Sequence, residues 1–205
     1  MPSRSSAREL LLGDQPPRAD AERNVDALLG ATRRFVIAGD LNPTAAQIAA
    51  EAGVGVGTLY RRAVRKELLL AAVLVDLLDE VSTTATRTAT SASWAAFKDF
   101  AQEYIRIRQV TCKINHALES EFDGAVAAAM GRTREAFVVL ADRLHDAELL
   151  DNDVSAEDLM ILLASVEITD TTLGLRPDNE RRHRILDRIL DSLRSTTSTT
   201  LTQPR

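Results

Sequence analysis

A chain of 205 residues and 22.4 kDa is long enough to bury a substantial core, as one domain or as a small domain joined to a larger one. Its single cysteine, Cys112, excludes an internal disulfide framework and fits a reducing cytoplasm. It holds no run of about 18 apolar residues and no basic start followed by a long apolar core, so a cytoplasmic chain without a membrane partner is expected. Scarce aromatics, few glycines and prolines and abundant alanine, leucine and threonine favour an all-α fold. The net charge of −5 is unevenly spread. Residues 18–66 hold eight Lys and Arg against five Asp and Glu, a net of +3, whereas residues 67–205 hold fifteen against twenty-three, a net of −8.

Residues 1–17, with their serines, arginines and the Pro16-Pro17 pair, read as a disordered arm. Arg4 and Arg8 suit a minor groove, but Glu9 and Asp14 offset their charge. A first helix is expected from about Asp20 to Ala38, with Val25, Leu28, Leu29, Thr32, Phe35 and Val36 on one face and Gly39 as its stop.

Thr44 then opens a second helix. Its hydroxyl can cap the first turn while Gln47, three residues on, reaches back to the cap N–H. Ala45, Ile48, Ala49 and Ala52 recur at helical spacing, and Gly53 supplies the left-handed residue that ends helices. After Val54, Gly55 can cap a further short helix carrying Val56, Gly57, Thr58, Leu59, Tyr60 and Arg61. Two helices joined by a tight glycine turn, the second with a small, hydroxylated and basic face, form a helix-turn-helix suited to a major groove. Glycine lets the backbone approach, Thr58 suits a base edge or a thymine methyl, and Tyr60 and the arginines can reach phosphates. Similar helix pairs also occur in proteins that never touch DNA.

Downstream, a long helix is expected from Glu67 through Val81, with the Thr/Ser/Ala stretch from Ser82 to Ser93 as its end and a connection. A helix from about Trp94 to Arg108, a shorter stretch around Cys112 to Leu118 and a long helix from Phe122 to Leu149 follow. Ser155 and Asp158 make a second capping box, whose helix Gly174 would end, and Pro177-Asp178 open the last helix. Residues 195–205, mostly Ser and Thr, read as a disordered tail, and there is no internal repeat. Cys112 and His116 stand four apart, within reach of Glu119, but structural zinc needs four such ligands. No glycine-rich phosphate loop, nucleophile elbow or HExxH occurs, so neither catalysis, nor a metal, nor a cofactor is expected.

Ala49, Ala52, Gly53, Val54, Gly57, Thr58, Leu59, Tyr60, Lys66, Glu67 and Leu68 closely resemble the N-terminal domain of TetR-type (TetR/AcrR) transcriptional regulators. The resemblance extends upstream through Arg23, Val25, Leu28, Leu29, Thr32, Phe35 and Gly39. It implies a three-helix DNA-binding domain over residues 18–66 and a larger helical ligand-binding and dimerisation domain over residues 67–194. It further implies a bacterial regulator that binds a palindromic double-stranded operator as a homodimer and is released by a small molecule. Repression is the default direction; the residues leave an activator open. Phosphate contacts fall to Thr44, Tyr60 and Lys66, base contacts to Gly57 and Thr58, with Gly55 and Val56 at the helix start and Arg61 or Arg62 adding charge.

The chain departs from the family pattern where His-Phe-Pro is usual and Arg62, Ala63 and Val64 stand. Losing a buried Phe to Ala costs about 3–5 kcal/mol unless neighbours such as Phe35 fill the space. Arg65 replaces a polar cap, worth about 1 kcal/mol, and Gly55 replaces the commoner serine at little cost. The rival reading is therefore a helical ligand-binding or scaffolding dimer whose DNA-reading head has decayed.

Two apolar stripes, Leu159, Leu162, Leu163 and Val166, then Ile185, Leu186, Ile189, Leu190 and Leu193, suit a four-helix dimer interface or simply close the chain's own core; the resemblance favours the dimer. Trp94, Phe97, Tyr104, His116, Met130 and Phe137 are candidate effector contacts or plain core. Glu167 and Asp170, carboxylates within an apolar helix, would bind a cationic group, pair across the dimer or face water. The pocket otherwise suits a hydrophobic molecule.

Overall fold

The computed structural model describes residues 6–12, 19–62, 65–118, 123–166 and 179–195, and the side chains of Ser6, Arg62, Asp123, Asn179 and Arg182 fall outside that description. The elements are α1 (Ser6–Leu12), α2 (Ala19–Ile37), α3 (Ala45–Ala52), α4 (Val56–Arg62), α5 (Lys66–Ser91), α6 (Trp94–Ala117), α7 (Asp123–Asp146), α8 (Ala156–Ser165) and α9 (Asn179–Asp191). Among the described residues there is no strand, which bears out the all-α expectation; the one ladder-like contact is an isolated antiparallel bridge between Leu150 and Arg194. No described helix is long and apolar enough to cross a membrane.

Three expectations are corrected. Residues 6–12 are helical rather than a disordered arm: Ala7, Leu11 and Leu12 are buried, α1 packs on α2, and Arg8 pairs with Asp26 at 2.6 Å. The hydroxyl-rich stretch after Val81 continues α5 to Ser91. Ala85, Thr88 and Ala89 are buried there, and hydroxyls bond back to carbonyls of the preceding turn, Ser82 Oγ to Leu78 O at 2.9 Å and Thr90 Oγ1 to Thr86 O at 3.0 Å. The two segments foreseen around Trp94–Arg108 and Cys112–Leu118 are one helix, α6. Buried Ile107, Thr111 and Ile114 carry its apolar stripe through the polar join. Gly174 and Pro177-Asp178, expected as the α8 stop and the α9 start, lie outside the described residues, as do the tail from residue 196, Glu119 and Ala63.

The chain divides into two compact units, Met1–Ser82 with Ile107–Arg134, and Thr83–Arg106 with Glu135–Arg205. In the first, α2 packs on α3 and α4 through Val25, Leu28, Leu29, Val36, Ile48, Ala49 and Leu59, while Leu69, Val73, Leu74 and Leu77 of α5 extend the core. A polar seam crosses it. Arg33 of α2 bonds Asp76 at 2.8 Å and also Glu80, Arg132 bonds Asp79 at 2.7 Å, and the Ser82 and Thr133 hydroxyls meet at 3.1 Å. Burial pushes the Asp76 carboxyl up, against the pull of Arg33 and with a further push from the Glu80 and Asp79 charges. Burial also works against the Arg33 charge, but Glu80 and Asp76 outweigh it and hold its pKa up.

The second unit is built around Phe97, Phe100, Phe137, Leu140 and Leu144, with Leu159 and Leu163 of α8 and Leu186 and Leu190 of α9 also buried. Phe137 meets Phe100 and Tyr104 edge-on, with ring centroids 5.3 and 5.0 Å apart. Trp94 donates Nε1–H to Asp191 at 3.1 Å, and the Arg194 guanidinium covers its ring at 5.4 Å. The foreseen capping box of α8 is present: Asp158 N–H donates to Ser155 Oγ and Ser155 N–H to Asp158 Oδ2, each at 3.0 Å. The Ser155 hydroxyl also donates to Asp158 Oδ2 at 2.6 Å, and this bond first, with the one from the Ser155 N–H, holds the Asp158 carboxyl below the usual carboxylate range.

α7 closes in the same double-bonded way as glycine-capped helices, Glu148 N–H to His145 O and Leu149 N–H to Leu144 O at 2.8 and 2.9 Å, but with Glu148 at φ 55°. A residue with a Cβ is strained there by about 1 kcal/mol. Glu148→Gly is therefore expected to raise the thermal midpoint by roughly 2–4 °C in calorimetry; an unchanged or lower midpoint would refute the strain.

Candidate nucleic-acid interface

The site is assembled in the first unit from the turn before α3 to the start of α5. α2 ends at Gly39, φ 89°, with Asp40 N–H bonded to Phe35 O at 2.9 Å and Gly39 N–H to Val36 O at 3.0 Å. Asp40 then folds the chain back by accepting from the Asn42 N–H at 2.9 Å, which delivers Pro43, buried, and Thr44 to the α3 start. The capping box at Thr44 is formed: Gln47 N–H donates to Thr44 Oγ1 at 3.2 Å and Thr44 N–H to Gln47 Oε1 at 2.8 Å. The Thr44 hydroxyl also donates to Gln47 Oε1. Its proton is thus committed to the cap, and what α3 offers outward at this end is its first-turn backbone N–H groups.

α3 stops at Gly53, φ 67°, whose N–H bonds Ala50 O while Val54 N–H bonds Ala49 O. Gly55 then starts α4 by accepting from the Thr58 N–H at 2.8 Å. α4 divides sharply between inside and outside. Leu59 is buried at 2% exposure against the α2–α3 core, whereas Val56 is 41% and Tyr60 56% exposed, and Gly57 and Arg61 also face outward. A Cβ at Gly57 would meet nothing within 4 Å. Thr58 is half-buried, and its Oγ1 accepts from Arg61 Nη2 at 3.1 Å. Arg34 braces the pair from behind, bonding the Glu51 carboxylate at 2.6 Å and its carbonyl at 3.3 Å.

Between the α3 start, α4 and the α5 start lies a groove of about 360 Å³. Thr44, Tyr60 and Lys66, the three residues read from sequence as anion contacts, all line it, together with Asn42 and Arg65. Lys66 Nζ donates to Asn42 Oδ1, which fixes the ammonium at the α3 start. A phenolic hydroxyl, an ammonium, a guanidinium and a helix N-terminus on one groove make a site for an anion such as a phosphate. Asn42 and Arg65 were not foreseen in this role. Asn42 lies beyond the helix pattern, and Arg65 reads in sequence only as a missing cap.

The candidate effector residues separate. All of Trp94, Phe97, Tyr104 and Phe137 fall in the second unit, as two ring contacts, Trp94 with Phe97 and Tyr104 with Phe137, each 5.0 Å between centroids. His116 and Met130 fall in the first unit, both exposed. Glu167 and Asp170 lie outside the described residues. Of the two stripes, Leu159, Leu163, Leu186, Leu190 and Leu193 are buried within the chain itself; Leu162, Val166 and Ile189 are half-buried and Ile185 is exposed. Among the described residues no three His, Cys, Asp or Glu side chains are placed to hold a metal.

This architecture is similar to that of a TetR transcription regulatory protein from Mycobacterium vanbaalenii, with a TM-score of 0.66 and 23% identity over 87% of this chain and 99% of that one. It is also similar to a TetR transcriptional regulator from Streptomyces coelicolor, with a TM-score of 0.64 and 25% identity over 83% of this chain and 98% of that one. No protein-family model and no curated protein matches the sequence.

Proposed function

We propose that this chain, which shares the fold of the TetR-type transcriptional regulators, is a sequence-specific DNA-binding regulator that binds a palindromic operator as a homodimer and leaves it when a small molecule binds. The observation that carries the reading is the α3–α4 pair, which buries Ile48, Ala49 and Leu59 while Val56, Gly57, Tyr60 and Arg61 face outward beside the Lys66 groove. Residues 18–66 form the reading head, and their net charge of +3 within a chain of −5 keeps attraction for DNA where the reading helix is. Two copies related by a two-fold axis place two such heads on successive major grooves, which is what a palindrome requires.

Residues 67–194 supply the dimer and the effector site. The outward Ile161 and Ile185 and the half-buried Leu162, Val166 and Ile189 are apolar side chains available to a second copy. The effector, an apolar molecule, acts in this reading by binding the released conformation more tightly than the DNA-bound one, with repression as the outcome. The protein acts in the cytoplasm and catalyses nothing.

Selection of bound duplexes from a random pool by the purified protein is expected to enrich one palindrome. No enrichment by folded dimer would overturn the reading in favour of a ligand-binding dimer with a decayed head. On the selected duplex, Tyr60→Ala and Lys66→Ala are each expected to weaken binding about equally for all sequences, and Lys66→Ala to lower the slope of log K against log salt by about 1. Retention of the wild-type slope and affinity would remove both residues from the phosphate contacts.

A further inference from the structure

We infer that α4 reads a thymine and a guanine in each operator half-site, Val56 packing on the thymine 5-methyl group and Arg61, held in place by Thr58, donating to guanine N7 and O6. The inference rests on the DNA-binding reading above and deepens it to base chemistry. α4 has seven residues, about 10 Å at 1.5 Å per residue, which covers roughly three base pairs. Among its described side chains the outward positions are Val56, Gly57, Tyr60 and Arg61. Tyr60 lines the groove that Lys66 closes and so belongs to the backbone contact, which leaves Val56, Gly57 and Arg61 for the base edges.

Val56 has neither donor nor acceptor, and at 41% exposure nothing in its own unit covers it fully. The base feature in the major groove that such a side chain favours is the thymine methyl. Gly57 allows a short side chain to reach it. The fold does not need glycine there, since a Cβ would meet nothing within 4 Å, whereas a bare backbone at the second helical position lets α4 settle deeper into a groove. Arg61 carries five N–H donors, of which one Nη2–H is engaged by Thr58 Oγ1 at 3.1 Å. That bond limits the swing of the side chain and leaves donors for the paired acceptors that only guanine presents. Thr58 is thereby a positioning residue, its hydroxyl turned to Arg61 instead of to a base.

The test uses the full-length protein and the palindrome it selects. Replacing thymines one at a time by deoxyuridine is expected to weaken binding roughly fourfold at one position per half-site, the worth of one buried methyl, and Val56→Ala is expected to erase that penalty. Replacing guanines by 7-deazaguanine is expected to cost roughly tenfold at one position; Arg61→Ala should abolish that discrimination, and Thr58→Val should reduce it while leaving the deoxyuridine penalty and the salt slope intact. Val56, Thr58 and Arg61 are not fully buried, and circular dichroism checks that each variant folds. Deoxyuridine tolerated everywhere, a penalty that survives Val56→Ala, or an Arg61→Ala variant weakened equally on all sequences would overturn the inference while leaving a sequence-specific regulator. Failure to select any palindrome would overturn both.

Discussion

Replacing Phe137 with alanine is expected to remove about 3–5 kcal/mol of folding stability. The ring is fully buried and meets Phe100 and Tyr104 edge-on, with interplanar angles of 63° and 71°. Truncation therefore loses the transfer free energy of six ring carbons, two aromatic contacts and the close packing around them. Phe137→Leu, which keeps most of the volume, should cost about 1.5 kcal/mol or less. Denaturant titration of both variants decides what the cluster is for. A loss under about 1 kcal/mol for the alanine variant would mean that the site is not close-packed, as an effector pocket lined by these rings would be, and not a plain core.

Arg33→Met is expected to cost about 2–3 kcal/mol at neutral pH. Breaking a fully buried pair costs about 3–5 kcal/mol, and 27% side-chain exposure at Arg33 lets water recover part of it. The cost arises on the acidic side. Without the guanidinium, Asp76 and Glu80 lose their shared cation beside Asp79 on α5, while Arg132 stays bonded to Asp79. The folded-state pKa of Asp76 is already raised by burial, and in the variant it rises further. A carboxyl raised in the folded state contributes most below its unfolded pKa and loses that contribution as pH rises through the folded value. The deficit of Arg33→Met should accordingly shrink as pH is lowered toward about 4. Adding Asp76→Leu and Glu80→Leu should recover most of the stability at neutral pH. A pH-independent deficit would show that Arg33 acts through its aliphatic stem rather than its charge.

Local chemistry made much of this architecture legible. Thr44 with Gln47 and Ser155 with Asp158 close capping boxes from side chains three residues apart, and Gly39 and Gly53 stop helices at the only φ they favour over other residues, so neighbours alone decide these points. What stayed hidden depended on burial. Residues 83–91 read as a break because Thr and Ser are weak helix formers in isolation, yet Ala85, Thr88 and Ala89 are enclosed and the hydroxyls find carbonyls on their own helix. α1 was hidden by its polar flanks, since three leucines and an alanine make too short a pattern to outweigh them. At the groove, Tyr60 and Lys66 were legible through the family pattern, whereas Asn42 enters only because the turn at Asp40 carries it back to Lys66.

The one fully buried side chain among those described on α4 is Leu59, while Val56, Gly57, Tyr60 and Arg61 are exposed. Substitutions at those four outward positions therefore carry little folding penalty, typically within about 0.5 kcal/mol for exposed sites. If α4 reads DNA as proposed, a gene duplicate could change which DNA it recognises one residue at a time without first acquiring compensating mutations. On that reading the same head can diverge into many regulators, because the part that would choose the target is not the part that keeps the protein folded.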